Sequence, residues 1–254
     1  MQHAFYPASM LWTGVLFAAA AAAQTPTYSV VYGFTGTTDG SDPQPGLIHD
    51  AAGNLYGTTN AGGVSGCSGC GFGVVFKLDT TGNLSVLHTF TGQADGGNPD
   101  AGVIRDPAGN LYGTATYGGA DHSGVVFKID PAGNFKLLHT FSGGADGGSP
   151  HAGLIRDEGG NLYGTTANGG SGKGVVFEID AAGTLSTLHA FMGSDGAQPA
   201  APVMREASGN LYGTTANGGK YGAGVVFKLD AAANLTVLHS FTSGFDGART
   251  PMPA

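Results

Sequence analysis

The sequence predicts an all-β chain, a β-propeller-like array of four-stranded blades with about fifty residues per repeat. Three strings that recur in fixed order predict it. "GNLYGTT" or a near relative begins at Gly53, Gly109, Gly160 and Gly209; "GVVFKLD" or its variants at Gly73, Gly124, Gly174 and Gly224; and "LHTF", "LHAF" or "LHSF" at Leu87, Leu138, Leu188 and Leu238. Tandem units of this length, each carrying several short strands, are the pattern of propeller blades, and a β-solenoid is the alternative.

Within a unit the elements follow from turn chemistry. "GVIRD" at 102–106 and "NLYGTA" at 110–115 flank "DPAGN", and "GVVFKID" at 124–130 and "NFKLLHTF" at 134–141 flank a second "DPAGN". An Asp opening such a turn accepts backbone N–H bonds, and a Gly near its end tolerates positive φ, so each unit reads as two hairpins, strands a–b and c–d. In "NLSVLHTF", strict alternation puts Leu84, Val86, His88 and Phe90 on one face and Ser85, Leu87 and Thr89 on the other. Full units are expected at about 46–95, 102–146, 153–195 and 202–246, preceded by one d-type strand at 28–34 in which Tyr32 stands in the place of the repeated His. The order d, then four complete a–b–c–d units, points to a fragment of a longer gene, with four closed blades plus a surplus strand as the alternative.

Composition agrees with a packed β protein rich in turns: 47 glycines, 11% charged residues and 41% hydrophobic residues concentrated in short runs. Net charge is −8 and the ten Lys and Arg are scattered, so nucleic acid is excluded as an expected partner, because phosphate recognition needs concentrated positive charge. The apolar run from Met10 and the small residues up to Ala23 read as a signal peptide over 1–23, with an uncleaved anchor as the alternative. No later run approaches spanning length, so the chain is expected to carry no membrane span after leader removal and to be secreted, periplasmic or on the cell surface.

Because a–b and c–d are tight turns, the longer b–c and d–a connections gather on the opposite face, where binding residues tend to sit. The polar and aromatic loop residues there, Tyr117, His122, Asn168, Lys173, Asn217 and Tyr221, are the candidate binding set. Glycans and peptides are the ligand classes expected. Cys67 and Cys70, in the one enlarged b–c loop, are expected to form a local disulfide in an exported protein.

Other repeated residues have plainer readings. His88, His139, His189 and His239 fall on the outermost strands, too far apart for one metal ion, and read as scaffold packing or hydrogen bonding. Asp39, Asp95, Asp146, Asp195 and Asp246 faintly suggest calcium, but Asp-Gly is ordinary turn chemistry, so no cofactor is expected. Arg105, Arg156 and Arg205, with His49 in the first unit, read as a charge-balanced rim rather than a positive ring. No nucleophile motif is present, Glu158 and Glu206 of the three Glu (with Glu178) sit at tight turns, and no spacing singles out a pair of long-loop Asp residues for glycoside chemistry, so no catalytic residue is assigned.

Taken together, "GNLYGTT..GG", "GVVFKLD..GNL" and "LHTF" resemble the tandem GloVer (Gloeo/Verruco) repeat of choice-of-anchor bacterial proteins, from about residue 28 to 254. The resemblance implies an exported, propeller-like protein, often attached to the cell surface by a separate C-terminal segment. It brings no catalytic residues with it. The "D..GNLY" turns also resemble, more weakly, those of NHL and gluconolactonase-type propellers, whose channel carboxylates and Asn bind metal. The matching positions here are mostly Gly, Thr and Val, so that activity is not expected. The leading expectation is a binding or surface scaffold module, with a propeller enzyme acting on glycans or lactones through channel residues and a purely structural surface-layer spacer as alternatives.

Overall fold

The structure is a computed structural model that describes residues 28–242. It divides into two compact units, Met1–Val31 and Tyr32–Ala254. Of the first, residues 28–31 are described; they form no strand and are exposed. The leader expected at 1–23 and the loop residue Asp246 lie outside the described residues.

The described part of the second unit is all-β, built as four antiparallel sheets in a propeller-like array. The first sheet contains β1 (Ser41–Pro43), β2 (Ile48–His49), β3 (Leu55–Ala61), β4 (Val74–Leu78) and β5 (Leu84–Thr89). The second has β6 (Ile104–Arg105), β7 (Leu111–Ala115), β8 (Val125–Ile129) and β9 (Phe135–Thr140). The third has β10 (Ile155–Arg156), β11 (Leu162–Thr166), β12 (Val175–Ile179) and β13 (Leu185–Ala190). The fourth has β14 (Met204–Arg205), β15 (Leu211–Thr215), β16 (Val225–Leu229) and β17 (Leu235–Ser240). In the last three, strand order in space equals order in the chain, which is the a–b–c–d meander that the turns predict.

The tight turns form as their residues dictate. In the first, Asp50 Oδ1 accepts the backbone N–H groups of Ala52 and Asn54 at 3.0 and 2.9 Å, while Oδ2 accepts the Asn54 amide and the Tyr56 hydroxyl. Asp79, Asp130 and Asp230 close the c–d turns of their sheets by the same two backbone N–H bonds to Oδ1.

Two sequence expectations need correction. Residues 28–34 contain no strand: a d strand is stabilised by the ladder to its own strand c, and among the described residues no strand pairs with this segment. Side-chain equivalence nonetheless survives: Phe34 meets Phe76 edge-on at 5.2 Å, as Phe90 meets Phe127, and the Tyr32 hydroxyl bonds Asp39 as the repeated His bonds its Asp. The even alternation expected of strand d also fails. A register shift between Val75 and Phe76 leaves Leu87 unpaired opposite them, and the same irregularity recurs in the other three sheets. An extra residue turns the side chains after it to the other side of the sheet. His88 and Phe90 therefore pack with Leu87 on the following blade, and His88 stacks on Phe135 with ring centroids 3.8 Å apart.

Among the described residues the core is not one interior but three inter-sheet layers. Val75 and Phe90 meet Val103, Leu111, Val125, Phe127 and Ile129. Val126 and Phe141 meet Leu154, Leu162, Val175, Phe177 and Ile179, and Val176 and Phe191 meet Val203, Leu211, Val225, Phe227 and Leu229. Each fully buried Phe contributes roughly 1.5–3 kcal/mol of burial free energy. A threonine bonds each layer from within: Thr58, Thr114 and Thr165 donate to the carbonyls of Ala101, Ala152 and Ala201 of the following blade. At the outward side of the fourth sheet the equivalent Thr214 is exposed, as are Met204 (64%) and Leu238 (52%).

Candidate functional site

The short inner strands bring four segments of the chain around one axial cavity of about 440 Å³. Its lining runs from Pro45 to Ile48, from Asp100 to Ile104, from His151 to Leu154, and on to Ala200 and Pro202. The wall is mostly apolar. Its two titratable residues are Asp100 and His151.

These two occupy equivalent places in successive repeats. In "DPQPG", "NPDAG", "SPHAG" and "QPAAP" the residue after the Pro is Gln44, Asp100, His151 and Ala200 in turn. A second column lies at the end of strand b, where Asn60 and Thr116 give way to Ala167 and Ala216. The structure joins the two columns into one cluster. Asp100 Oδ1 accepts the Asn60 amide at 2.5 Å, and Oδ2 accepts the Thr116 hydroxyl at 3.0 Å and meets His151 Nδ1 at 2.5 Å. Burial alone would raise the Asp100 pKa, but the hydrogen bonds from His151, Thr116 and Asn60 and the charge of His151 outweigh it and hold the carboxyl below its ordinary value. An ionised Asp100 makes Nδ1 of His151 the protonated nitrogen. Nε2, in a side chain 41% exposed, then has no hydrogen-bond partner among the described residues.

On the long loops, the candidate binding residues separate into pairs. Tyr117 and His122 come together: their rings stack at 5.4 Å, and Phe72 of the preceding blade stacks on Tyr117 at 6.1 Å with an interplanar angle of 11°. Asn168 and Asn217 instead tie their loops down, the first donating to Ser149 Oγ at 3.1 Å and the second to Gln198 Oε1. Lys173 is exposed, and its carbonyl accepts the Gln198 N–H. Tyr221 is exposed beneath the Lys220 ammonium, 5.0 Å from its ring. Among the described residues no hydrogen bond, ion pair or ring contact joins these four to the Tyr117–His122 pair. Phe72, Asn60, Asp100, Thr116 and His151 are the residues that sequence reasoning misses. Their signal is substitution within otherwise repeated strings.

The remaining candidates are structural. Cys67 and Cys70 are disulfide-bonded, and the loop is fixed by the Gly69 N–H donating to Gly36 O at 2.7 Å. His88, His139 and His189 each bond, through Nε2, the Asp of the following loop: Asp95, Asp146 and Asp195. Those carboxylates also accept the N–H of Thr91, Ser142 and Met192, and Asp39 that of Thr35, as turn acceptors do. Among the described residues no three His, Cys, Asp or Glu gather as a metal-ligand set. Of the arginines, Arg205 reaches back to the preceding unit, 3.6 Å from Asp157 and over the Tyr163 ring at 5.4 Å, as a charge-balanced rim.

Solved structures with a likeness to the chain include a gluconolactonase from Xanthomonas campestris, at 18% identity and a TM-score of 0.48 over 78% of this chain and 62% of that one. Others are a luciferin-regenerating enzyme, at 20% and 0.43 over 67% and 53%, and a protein of unknown function from Dyadobacter fermentans, at 10% and 0.46 over 77% and 67%. The chain spans about three-fifths of the length of the gluconolactonase structures it matches. No curated protein matches it. The family model for the Gloeobacter/Verrucomicrobia repeat matches residues 11–155 and again 68–253, together nearly the whole chain. With the three repeated strings now seen as strands b, c and d of each sheet, the chain belongs to the Gloeobacter/Verrucomicrobia repeat family.

Proposed function

We propose that this repeat protein is an exported binding module that holds a glycan on its long-loop face. The observation that carries the reading is the stack of Phe72, Tyr117 and His122, three rings at positions where the other units have no matching aromatic set. Tyr117 is 41% exposed and His122 is exposed, so the outer end of the stack is open to a ligand. Aromatic rings offer a large, rigid apolar surface at low entropic cost, and sugar rings present C–H faces that pack on it. Lys173 and Tyr221, exposed on the b–c loops of the third and fourth blades, are further groups for the ligand to reach.

A glycan array and a peptide library probed with the full chain test the reading. Glycans that bind should lose on the order of tenfold in affinity with Tyr117→Ala or His122→Ala, equivalent to about 1.4 kcal/mol. Unchanged binding, or capture of peptides alone, sinks the glycan assignment. N-terminal sequencing of the protein recovered outside the cytoplasm should begin at Gln24 if the leader is cut after Ala23.

A further inference from the structure

We infer that Asp100 and His151 form a general-base pair at the axial cavity and that it hydrolyses a small, uncharged carboxylic ester bound there. The inference concerns a different set of side chains from the loop-face stack and does not rest on glycan binding.

Three observations carry it. First, the cluster is assembled from departures from the repeat. Asn60, Asp100, Thr116 and His151 converge, whereas the corresponding positions later in the chain are alanines, so the scaffold does not require them. Second, the histidine is wired differently from the histidines of the d strands. His88, His139 and His189 spend Nε2 on an Asp and pack against a Phe at 4.8 to 5.0 Å, while His151 spends Nδ1 on Asp100 and keeps Nε2 free of any bond among the described residues. An imidazole oriented by a carboxylate through one nitrogen presents a lone pair on the other, which is the arrangement general-base catalysis needs. Third, the adjoining cavity of about 440 Å³ is walled by Pro45, Leu47, Ile48, Val103, Ile104 and Leu154. No Lys or Arg lines it, so the Asp100 carboxylate disfavours anions and the site suits an uncharged substrate.

The step balances without a further reagent. Nε2 of His151 takes a proton from water as the water oxygen bonds to the carbonyl carbon of the ester. The tetrahedral intermediate collapses, the bond from carbon to the alcohol oxygen breaks, and the proton held on Nε2 passes to the departing alkoxide. Asp100 remains ionised and holds the ring throughout. The products are a carboxylic acid and an alcohol.

The test uses p-nitrophenyl acetate with the purified full chain. Hydrolysis above the buffer rate is expected, slower in D2O than in H2O, with kcat/KM falling on the order of 100-fold in His151→Gln. Asp100→Asn should fall about tenfold and displace the pH profile, because the ring loses its orienting charge. His49→Ala, an exposed histidine that does not line the cavity and whose Nδ1 meets the Asp50 carbonyl, should stay near the wild-type rate. The inference is overturned by a rate no greater than buffer, by His151→Gln retaining wild-type activity, by His49→Ala losing as much, or by equal rates in D2O and H2O. If His151→Gln does not fold, the Asp100→Asn profile and the wild-type solvent effect decide between the same outcomes.

Discussion

Phe141 of the second blade meets Phe177 of the third edge-on, with centroids 5.3 Å apart and planes at 66°, and neither ring is accessible to solvent. The contact recurs at Phe90–Phe127 and Phe191–Phe227, at 5.3 and 5.2 Å. Removing one ring opens a cavity between two sheets that the rigid ladders cannot close. Phe177→Ala should cost ~3–5 kcal/mol, read as a lower denaturant midpoint. A loss below about 1 kcal/mol would mean that the layers are not the stabilising core.

The turn carboxylates set the acid limit of the fold. Asp79 has its pKa lowered to about 2 by the Thr81 hydroxyl and the Asn83 N–H, and Asp50 to about 2, chiefly by the Asn54 side chain. The unfolded chain, with Asp near 3.9, takes up these protons first as the pH falls. The turns' stabilisation is therefore complete above about pH 4 and is lost as the pH drops toward about 2. Melting temperatures measured across that window should fall, and Asp79→Asn should fall less steeply. Identical slopes would count against the assignment.

Tyr163 limits stability from the alkaline side. Burial, then the Glu178 and Asp157 carboxylates that its hydroxyl reaches at 3.0 and 3.1 Å, push its pKa up to about 12. Its folded value exceeds the unfolded value of about 10, so its contribution is present below about pH 10 and is lost as the pH rises through about 12. Tyr32, Tyr56 and Tyr112 are also raised, so tyrosinate absorbance should show several late steps, of which Tyr163→Phe removes the last. A Tyr163→Phe titration curve that keeps the last step would reassign it.

Two glycines separate backbone strain from crowding. Gly133, at φ +86°, has open space where a Cβ would lie, whereas at Gly174, φ +92°, a Cβ would run into the carbonyl of Thr166. Gly133→Ala should cost only the left-handed penalty of about 1–2 kcal/mol. Gly174→Ala should cost clearly more, since the Thr166 backbone is held in the β11–β12 ladder. Equal losses in urea melts would show that the ladder yields.

Much of this was legible because repetition averages out local noise. Four copies of "GVVFKLD" and of the turns that open on an acidic residue made the a–b–c–d order and the two kinds of connection readable from the letters alone, though not β1 or the absence of a strand at 28–34. The face of His88 was not readable, since the irregularity opposite Val75 and Phe76 has no distinctive residue at Leu87 and arises from ladder geometry. Nor was the cluster. Asp100 and Asn60 are forty residues apart, and only folding each inner segment against a common axis brings them together. Asn168 and Asn217 look like ligand contacts in the sequence, but their amides hold Ser149 and Gln198, residues whose positive φ of 54° places them within reach.

The column Gln44, Asp100, His151, Ala200 has an evolutionary consequence. Each letter sits on a different module, just before its strand a, so a change of side chain in one leaves the strands that carry the other three untouched. Chemistry at the axis can thus be rewritten one module at a time, as on a combination lock, with the Asp100 and His151 dials geared to each other by their shared bond.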